Sequence, residues 1–93
     1  MDQSPDASHT TRRRLYRARS TGPLAEAVRS VRNAAGKTQS EVAQAVGSSR
    51  PTISRMERGL PTATDTLVDV LTQCGYEILV VPRGSLVTVE EPA

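Results

Sequence analysis

The sequence predicts a small all-α domain followed by a short C-terminal β-strand or hairpin. Apolar residues recur at three- and four-residue steps from Leu24 to Cys74, which is the period of helices with one buried face. Residues typical of helix caps divide that stretch into four segments. After Gly75 the period changes and β-branched residues dominate, which predicts extended chain. A length of 93 residues allows one domain with a small core.

The first predicted helix begins near Pro23, which suits a first turn because an N–H group has no helical partner there in any case. Gly36 is a natural end for this helix. Arg29 and Arg32 fall outside its apolar face. That face consists of Leu24, Ala27, Val28, Val31 and Ala35.

Two short helices are predicted next. Thr38 and Glu41 have the spacing of a capping box at the start of the second helix, and Gly47 ends it. The pair Ser48–Ser49 supplies the cap of the third helix, and Pro51 lies in its first turn. The pattern therefore predicts two helices joined by a short turn that contains glycine.

The fourth helix and the C-terminal segment complete the chain. Residues 62–65 resemble a second capping box, and an apolar face then runs to Gly75, where the helix is expected to end. Residues 76–81 are predicted to form a strand, 82–85 a turn and 86–89 a plausible second strand.

Charge and composition divide the chain into three parts. Residues 1–22 are polar and basic and are predicted to be a disordered arm, residues 23–75 the helical domain, and residues 76–93 an acidic extension. The basic arm could enter a DNA groove, stay a solvated tail, or fold on a protein partner, and the sequence leaves all three open. Its cations are Arg12, Arg13, Arg14, Arg17 and Arg19.

Composition excludes several functional classes. No apolar run approaches the roughly 20 residues of a membrane-spanning helix. One cysteine and one histidine cannot build a disulfide framework or a usual zinc site, so neither a metal nor another cofactor is expected. No catalytic triad, phosphate-binding loop or paired-carboxylate cleft is visible, so an enzyme is not expected. The N-terminus shows no apolar leader, and we expect a cytoplasmic, nucleoid-associated protein.

The predicted second and third helices carry the chemistry that points to a function. Their spacing is that of a helix-turn-helix, in which the second helix of the pair enters the DNA major groove. Guanidinium groups read guanine, and a threonine can bond a base edge or touch a thymine methyl group. Gln39 begins the first helix of the pair, where backbone N–H groups favour a phosphate. The predicted outward face of the other helix carries Arg50, Thr52, Arg55 and Arg58.

Residues 37–59, KTQSEVAQAVGSSRPTISRMERG, strongly resemble the phage-repressor helix-turn-helix family of the Cro/CI or Xre type. The resemblance covers roughly residues 24–75 and implies a compact, lambda-repressor-like domain of five helices. Pro51 departs from the small polar residue usual at its position and should give only apolar contact. Glu57 matches a structural position and is expected to pair with an arginine or cap the next turn. The positions that the resemblance assigns to DNA contact are Gln39, Arg50, Pro51, Thr52 and Arg55.

The C-terminal segment carries a second resemblance, to HipB-type antitoxins, in which a strand after the last helix pairs with its twin across a dimer. An apolar edge strand must be paired or it invites aggregation, and an isolated hairpin is marginal in water. Pairing between two chains is therefore favoured, although pairing within one chain stays open. The predicted dimerisation residues are Tyr76, Ile78, Leu79, Val80 and Val81.

The favoured function is a sequence-specific, DNA-binding transcriptional repressor that acts as a homodimer on its operator. The resemblances further imply an antitoxin that autoregulates its operon and binds a toxin such as a HipA-like kinase, although a phage or stand-alone regulator would have the same sequence features. The alternative is a protein-interaction module that binds and inhibits a partner enzyme without reading DNA.

Overall fold

Four helices follow one another between residues 14 and 90, the part of the chain that this computed structural model describes. The first two are α1 (Thr21–Ala34) and α2 (Gln39–Ala45). They are followed by α3 (Arg50–Glu57) and α4 (Thr64–Gln73). The prediction of an all-α domain whose helices begin and end near these positions is confirmed.

The longest helix, α1, begins two residues before Pro23 and ends where the sequence predicts. Gly36 adopts a φ of 70°, a left-handed conformation that favours glycine. The backbone N–H of Gly36 donates to Asn33, and that of Lys37 donates to Arg32. These bonds satisfy carbonyls at the helix end and turn the chain toward α2.

Local caps define the two short helices α2 and α3. The Thr38 hydroxyl accepts from the Glu41 N–H at 3.0 Å, and the Glu41 carboxylate accepts from the Thr38 N–H at 2.8 Å, so the predicted capping box is complete. The Ser49 hydroxyl accepts from the Thr52 N–H at the start of α3. Gly47, with a φ of 69°, allows the sharp turn between the two helices.

One hydrophobic core joins all four helices. Ile53 on α3 is 0% exposed and packs in the same cluster as buried residues of α1, α2 and α4. Because α2 and α3 are too short to be stable alone, this shared burial holds them in place. Burial raises the pKa of the Cys74 thiol, which also lies in the core. The cluster consists of Val28, Val31, Val42, Ala43, Ile53, Met56, Val70, Leu71 and Cys74.

Two parts of the predicted fold are wrong. Residues 14–90 contain four helices rather than five, and no β-strand. After α4 the chain holds Pro82, Gly84 and many β-branched residues, which are poor helix formers, so no fifth helix follows.

The strand predicted at residues 76–81 is not present, and these residues form neither helix nor strand. The predicted turn does form, because the Ser85 N–H donates to the Pro82 carbonyl at 3.1 Å. No strand ladder nevertheless joins the two flanking predicted strands, residues 76–81 and 86–89. A strand obtains its hydrogen bonds from a neighbouring strand. An isolated two-stranded hairpin is only marginally stable, because its few contacts barely offset the conformational entropy lost when its backbone is ordered.

Candidate nucleic-acid interface

The exposed face of α3 lies opposite its core face. Ile53 and Met56 are buried, whereas Pro51, Arg55 and Arg58 are exposed and follow one another at helical spacing. Arg50 is also exposed, at the first position of the helix. The predicted DNA-contact residues Pro51 and Arg55 therefore share an open helix face with the cationic Arg58, and Arg50 is exposed at the start of the same helix.

Thr52 occupies a different position from the one that its spacing predicts. Its side chain is half-buried, and its hydroxyl lies 2.9 Å from the hydroxyl of Ser49. The Thr52 N–H donates to the same Ser49 oxygen at 3.3 Å. Thr52 thus lies at the rim of the exposed face, with its hydroxyl already bonded to the cap of α3.

A buried ion pair connects α1 to α3. Arg32 and Glu57 are each only 8% exposed. The Arg32 Nε and Nη2 groups donate to the two Glu57 carboxylate oxygens at 2.5 Å and 2.9 Å, a bidentate geometry. Arg32 also donates through Nη1 to the Lys37 carbonyl at 2.8 Å. The pair therefore fixes the end of α1 against the end of α3 and confirms that Glu57 pairs with an arginine.

The same carboxylate holds Gln39, the predicted phosphate contact. The Gln39 Nε2 group donates to Glu57 Oε1 at 3.1 Å, which orients the amide at the first position of α2. Glu57 is thereby the link between the buried ion pair and the exposed surface. Without it, nothing among these contacts would fix the Gln39 side chain.

Electrostatics keep this pair charged. Burial alone raises the pKa of Glu57, but the hydrogen bonds from Arg32 and Gln39 and the charge of Arg32 more than offset it, so the pKa is lowered. The hydrogen bond to Glu57 raises the pKa of Arg32 against the opposing effect of burial. At neutral pH the carboxylate and the guanidinium are therefore both ionised, as a buried pair requires.

A shallow cleft brings two of the predicted contact residues together. Gln39 and Arg50 are eleven positions apart in the sequence, yet both line it, along with Lys37. Two cations and an amide at the same opening suit an anionic group of the size of a phosphate. Arg55 is not among the cleft's lining residues and lies one turn further along α3.

The end of the predicted arm packs on the C-terminal segment. The Tyr76 hydroxyl donates to the Arg14 carbonyl at 3.0 Å, and the Tyr16 and Tyr76 rings meet edge to face with centroids 5.9 Å apart. Arg17 donates to the Ser85 carbonyl. We call the contact of Arg14, Tyr16 and Arg17 with Tyr76 and Ser85 the arm–tail contact. Arg12 and Arg13 lie outside the described residues.

The predicted dimerisation residues form an exposed apolar surface, except for Tyr76, which is half-buried in the arm–tail contact. Val80 is 90% exposed, and Leu86, further along, is 100% exposed. We call this surface the apolar tail. It consists of Ile78, Leu79, Val80, Val81, Leu86 and Val89.

Sequence reasoning missed two of these features. Arg32 falls outside the apolar face of α1 by spacing, yet it is buried, because Glu57 supplies the charge that makes its burial tolerable. The sequence did indicate that Glu57 pairs with an arginine, but it did not identify Arg32 as that arginine. The contact between Tyr16 and Tyr76 had no signal, since it joins residues 60 positions apart.

Residues 14–90 bring together no group of three or more potential metal-binding side chains from histidine, cysteine, aspartate and glutamate. None of their helices combines the length and the apolar character needed to cross a membrane.

Comparison with known proteins agrees with this geometry. A family model described as a helix-turn-helix domain matches residues 23–74, more than half of the chain. No curated protein matches the chain at a significant level. The helix-turn-helix family model covers all of α2, α3 and α4 and all but the first two residues of α1. The chain therefore belongs to the helix-turn-helix family of the Cro/CI or Xre type and is a DNA-binding regulator.

Proposed function

We propose that this chain is a sequence-specific transcriptional repressor that places α3 in the major groove of its operator. The observation that carries the proposal is the exposed cationic face of α3, set opposite a fully buried Ile53. An α-helix fits the major groove, and arginine there can bond a guanine edge through two hydrogen bonds. Arg50 and Arg55 are the residues that would read guanine.

The cleft beside α3 would supply affinity rather than sequence choice. Lys37 and Gln39 lie at its opening, where the Arg32–Glu57 pair holds the Gln39 amide. A phosphate bound there would set the height and register of α3 in the groove. Because such contacts release counterions, the affinity should fall steeply as salt rises.

The proposal is tested by selecting duplexes from a random library with the full chain and measuring binding of the Arg50→Ala variant. We expect a loss of about 1–3 kcal/mol on the selected duplex and a relaxed preference at one base position. The matched control is Arg83→Ala, which removes an equal charge from the exposed turn of the C-terminal segment. Equal loss on selected and scrambled duplexes would show that Arg50 touches only phosphate.

A homodimer is the second part of the proposal, and the apolar tail supports it. An exposed apolar surface of this kind is typical of a protein–protein contact. A twofold dimer would also match two operator half-sites about 34–36 Å apart. Leu79→Ser should weaken self-association in sedimentation equilibrium, whereas Val68→Ser, on the exposed side of α4, should not. A wild-type chain that stays monomeric across the concentration range would contradict the dimer.

An autoregulating antitoxin is the third part. A small helix-turn-helix domain with an additional apolar tail has one surface for DNA and one for a protein, such as a HipA-like kinase toxin. Such a chain would act in the cytoplasm, on the nucleoid. A salt-sensitive shift of the gene's own upstream DNA, strengthened by an adjacent toxin-like gene product, is the expected result.

The alternative is a protein-interaction module that binds and inhibits a partner enzyme without reading DNA. It is favoured by the exposure of the apolar tail, which is independent of α3. The same shift experiment separates the two functions. If no salt-sensitive DNA complex forms at micromolar protein while the partner enzyme binds, the alternative replaces the repressor.

A further inference from the structure

The N-terminal tip of α3, which we define as residues 49–52, has unusual chemistry for a surface that meets DNA. Pro51 is exposed there and presents a pyrrolidine ring between Arg50 and the half-buried Thr52. Proline has no backbone N–H group to donate. The tip therefore places an apolar ring beside an arginine, at the end of the helix expected to enter the groove.

The backbone donors that follow Pro51 are already used. The Thr52 N–H donates to both the backbone carbonyl and the hydroxyl of Ser49, at 3.1 Å and 3.3 Å. The Ile53 N–H donates to the same Ser49 carbonyl at 3.2 Å. A helix start binds anions through uncommitted N–H groups, and these are committed. The backbone N–H groups after Pro51 are thus poorly suited to a phosphate.

The side-chain hydroxyls of the tip are committed as well. Ser49 Oγ and Thr52 Oγ1 lie 2.9 Å apart and share a hydrogen bond. This bond fixes the Thr52 side chain and uses part of its polar capacity. Apart from the Arg50 side chain, the groups that remain at the tip are the Pro51 ring and the Thr52 methyl group, both apolar.

We infer that the tip of α3 reads the 5-methyl group of a pyrimidine in the major groove, with the Pro51 ring as its main contact and the Thr52 methyl beside it. This inference rests on the proposed function and specifies the half-site that the repressor prefers. The 5-methyl group is the apolar feature that base pairs present in that groove. Thymine carries it, and so does 5-methylcytosine.

Other bases would be disfavoured at this position for a physical reason. Adenine and guanine present N7 and a polar exocyclic group in the major groove. Against the Pro51 ring these atoms would lose water and gain no hydrogen bond, which is costly. Selectivity would therefore come from the lack of a hydrogen-bond donor on Pro51 as much as from apolar contact.

The neighbouring arginines place this methyl group relative to guanine. Pro51 and Arg55 lie one turn apart on the same helix face, about 6 Å along the axis. That distance is close to two base-pair steps of about 3.4 Å each. The expected half-site thus has a methylated pyrimidine within about two base pairs of a guanine.

The test uses duplexes selected by the full chain from a random library. Each thymine of the selected half-site is replaced in turn by deoxyuridine, which removes only the methyl group. We expect one replacement to weaken binding about fourfold, the effect of burying one methyl group. In a parallel duplex with cytosine at that position, 5-methylcytosine should bind more tightly than cytosine by a similar factor if any methylated pyrimidine suffices.

The Pro51→Ser variant assigns the effect to the tip. It should bind thymine and uracil duplexes equally, since the ring is gone. The matched control Pro61→Ser changes an exposed proline in the loop after α3 and should keep the wild-type ratio. Circular dichroism of both variants checks that the helices remain.

The outcomes separate the two ideas. If the library yields no preferred duplex, the repressor proposal fails and this inference falls with it. If a preferred duplex emerges but uracil replaces every thymine without loss, or if Pro51→Ser keeps the thymine preference, only the inference is overturned. A gain for 5-methylcytosine would extend the contact to methylated DNA, and its absence would restrict it to thymine.

Discussion

The α2–α3 region and the C-terminal segment, residues 76–90, differ in whether their regular structure can complete its backbone hydrogen bonds within the segment itself. α2 and α3 have seven and eight residues, yet each begins with a side-chain cap and buries one face in the core. The C-terminal segment has a longer run of β-branched residues but forms no strand, and its apolar side chains are mostly exposed. Helices complete their hydrogen bonds locally, whereas a strand depends on a distant partner.

The comparison also separates two kinds of charge. Glu57 in the first region is buried and bonded to Arg32 and Gln39, whereas Glu77 in the second is exposed. Because the two carboxylates differ in packing, equivalent substitutions in the two regions should change the free energy of unfolding by very different amounts.

Glu57→Ala should lower the free energy of unfolding by about 3 kcal/mol, because it leaves the buried Arg32 guanidinium without its anionic partner. Glu77→Ala, its control in the C-terminal segment, should change it by less than about 0.5 kcal/mol. Urea unfolding followed by circular dichroism measures both. Equal costs for the two variants would refute the contrast between the regions.

A double variant separates the fold from the site. Arg32→Met combined with Glu57→Leu removes both charges and should recover most of the stability that Glu57→Ala loses. It should not recover DNA affinity, because Gln39 loses the oxygen to which it donates. Recovery of both properties would show that Glu57 does not position Gln39.

Acid should weaken the fold through the same residue. The pKa of Glu57 is lowered in the folded state, so its stabilising effect is fully present above the ordinary glutamate pKa of about 4.3. It is lost as the pH falls through the lower, folded-state pKa. The difference in unfolding free energy between wild type and Glu57→Gln should therefore narrow toward acid. A constant difference would contradict the lowered pKa.

Thr38→Ala should lower the free energy of unfolding by about 1 kcal/mol, because it removes the hydroxyl that accepts from the Glu41 N–H at the start of α2. Thr88→Ala, at an exposed position of the C-terminal segment, is its control and should be nearly neutral. Thermal unfolding in parallel samples compares them. A larger loss for Thr88→Ala would reveal structure in the C-terminal segment that its exposure does not suggest.

Tyr76→Phe should have the smallest effect, about 0.5 kcal/mol, since it removes one exposed hydrogen bond to the Arg14 carbonyl and keeps the ring contact with Tyr16. Amide exchange should accelerate at residues 14–17 and remain unchanged in α3. Acceleration in α3 would show that the arm–tail contact supports the helices directly.

Local signals explain what the sequence could predict. The capping box, the glycine turn and the exposed face of α3 depend on residues within one or two helical turns, and all three are confirmed except for Thr52, which is half-buried. The pairing of Glu57 came from a family position and is confirmed as well, with Arg32 as its partner. The predictions of five helices and a β-strand were wrong. The number of helices was taken from the family resemblance rather than from this sequence, and a strand depends on a distant partner.

Long-range contacts explain what the sequence could not show. The burial of Arg32 depends on a carboxylate 25 positions away, and the arm–tail contact joins segments more than 60 positions apart. Spacing within one segment carries no information on either. The position of Thr52 depends on its bond to Ser49, which is local and could have been anticipated from the cap of α3.

The single cysteine of the chain, Cys74, lies at the end of α4, and Gly75 separates it from the C-terminal segment. Its thiol is shielded by the core, and its raised pKa keeps the reactive thiolate scarce. The rate of chemical labelling at Cys74 therefore measures how often the core opens. Comparing its rate with the exchange of residues 14–17 would reveal how far a fluctuation that starts in the C-terminal segment penetrates the helical domain.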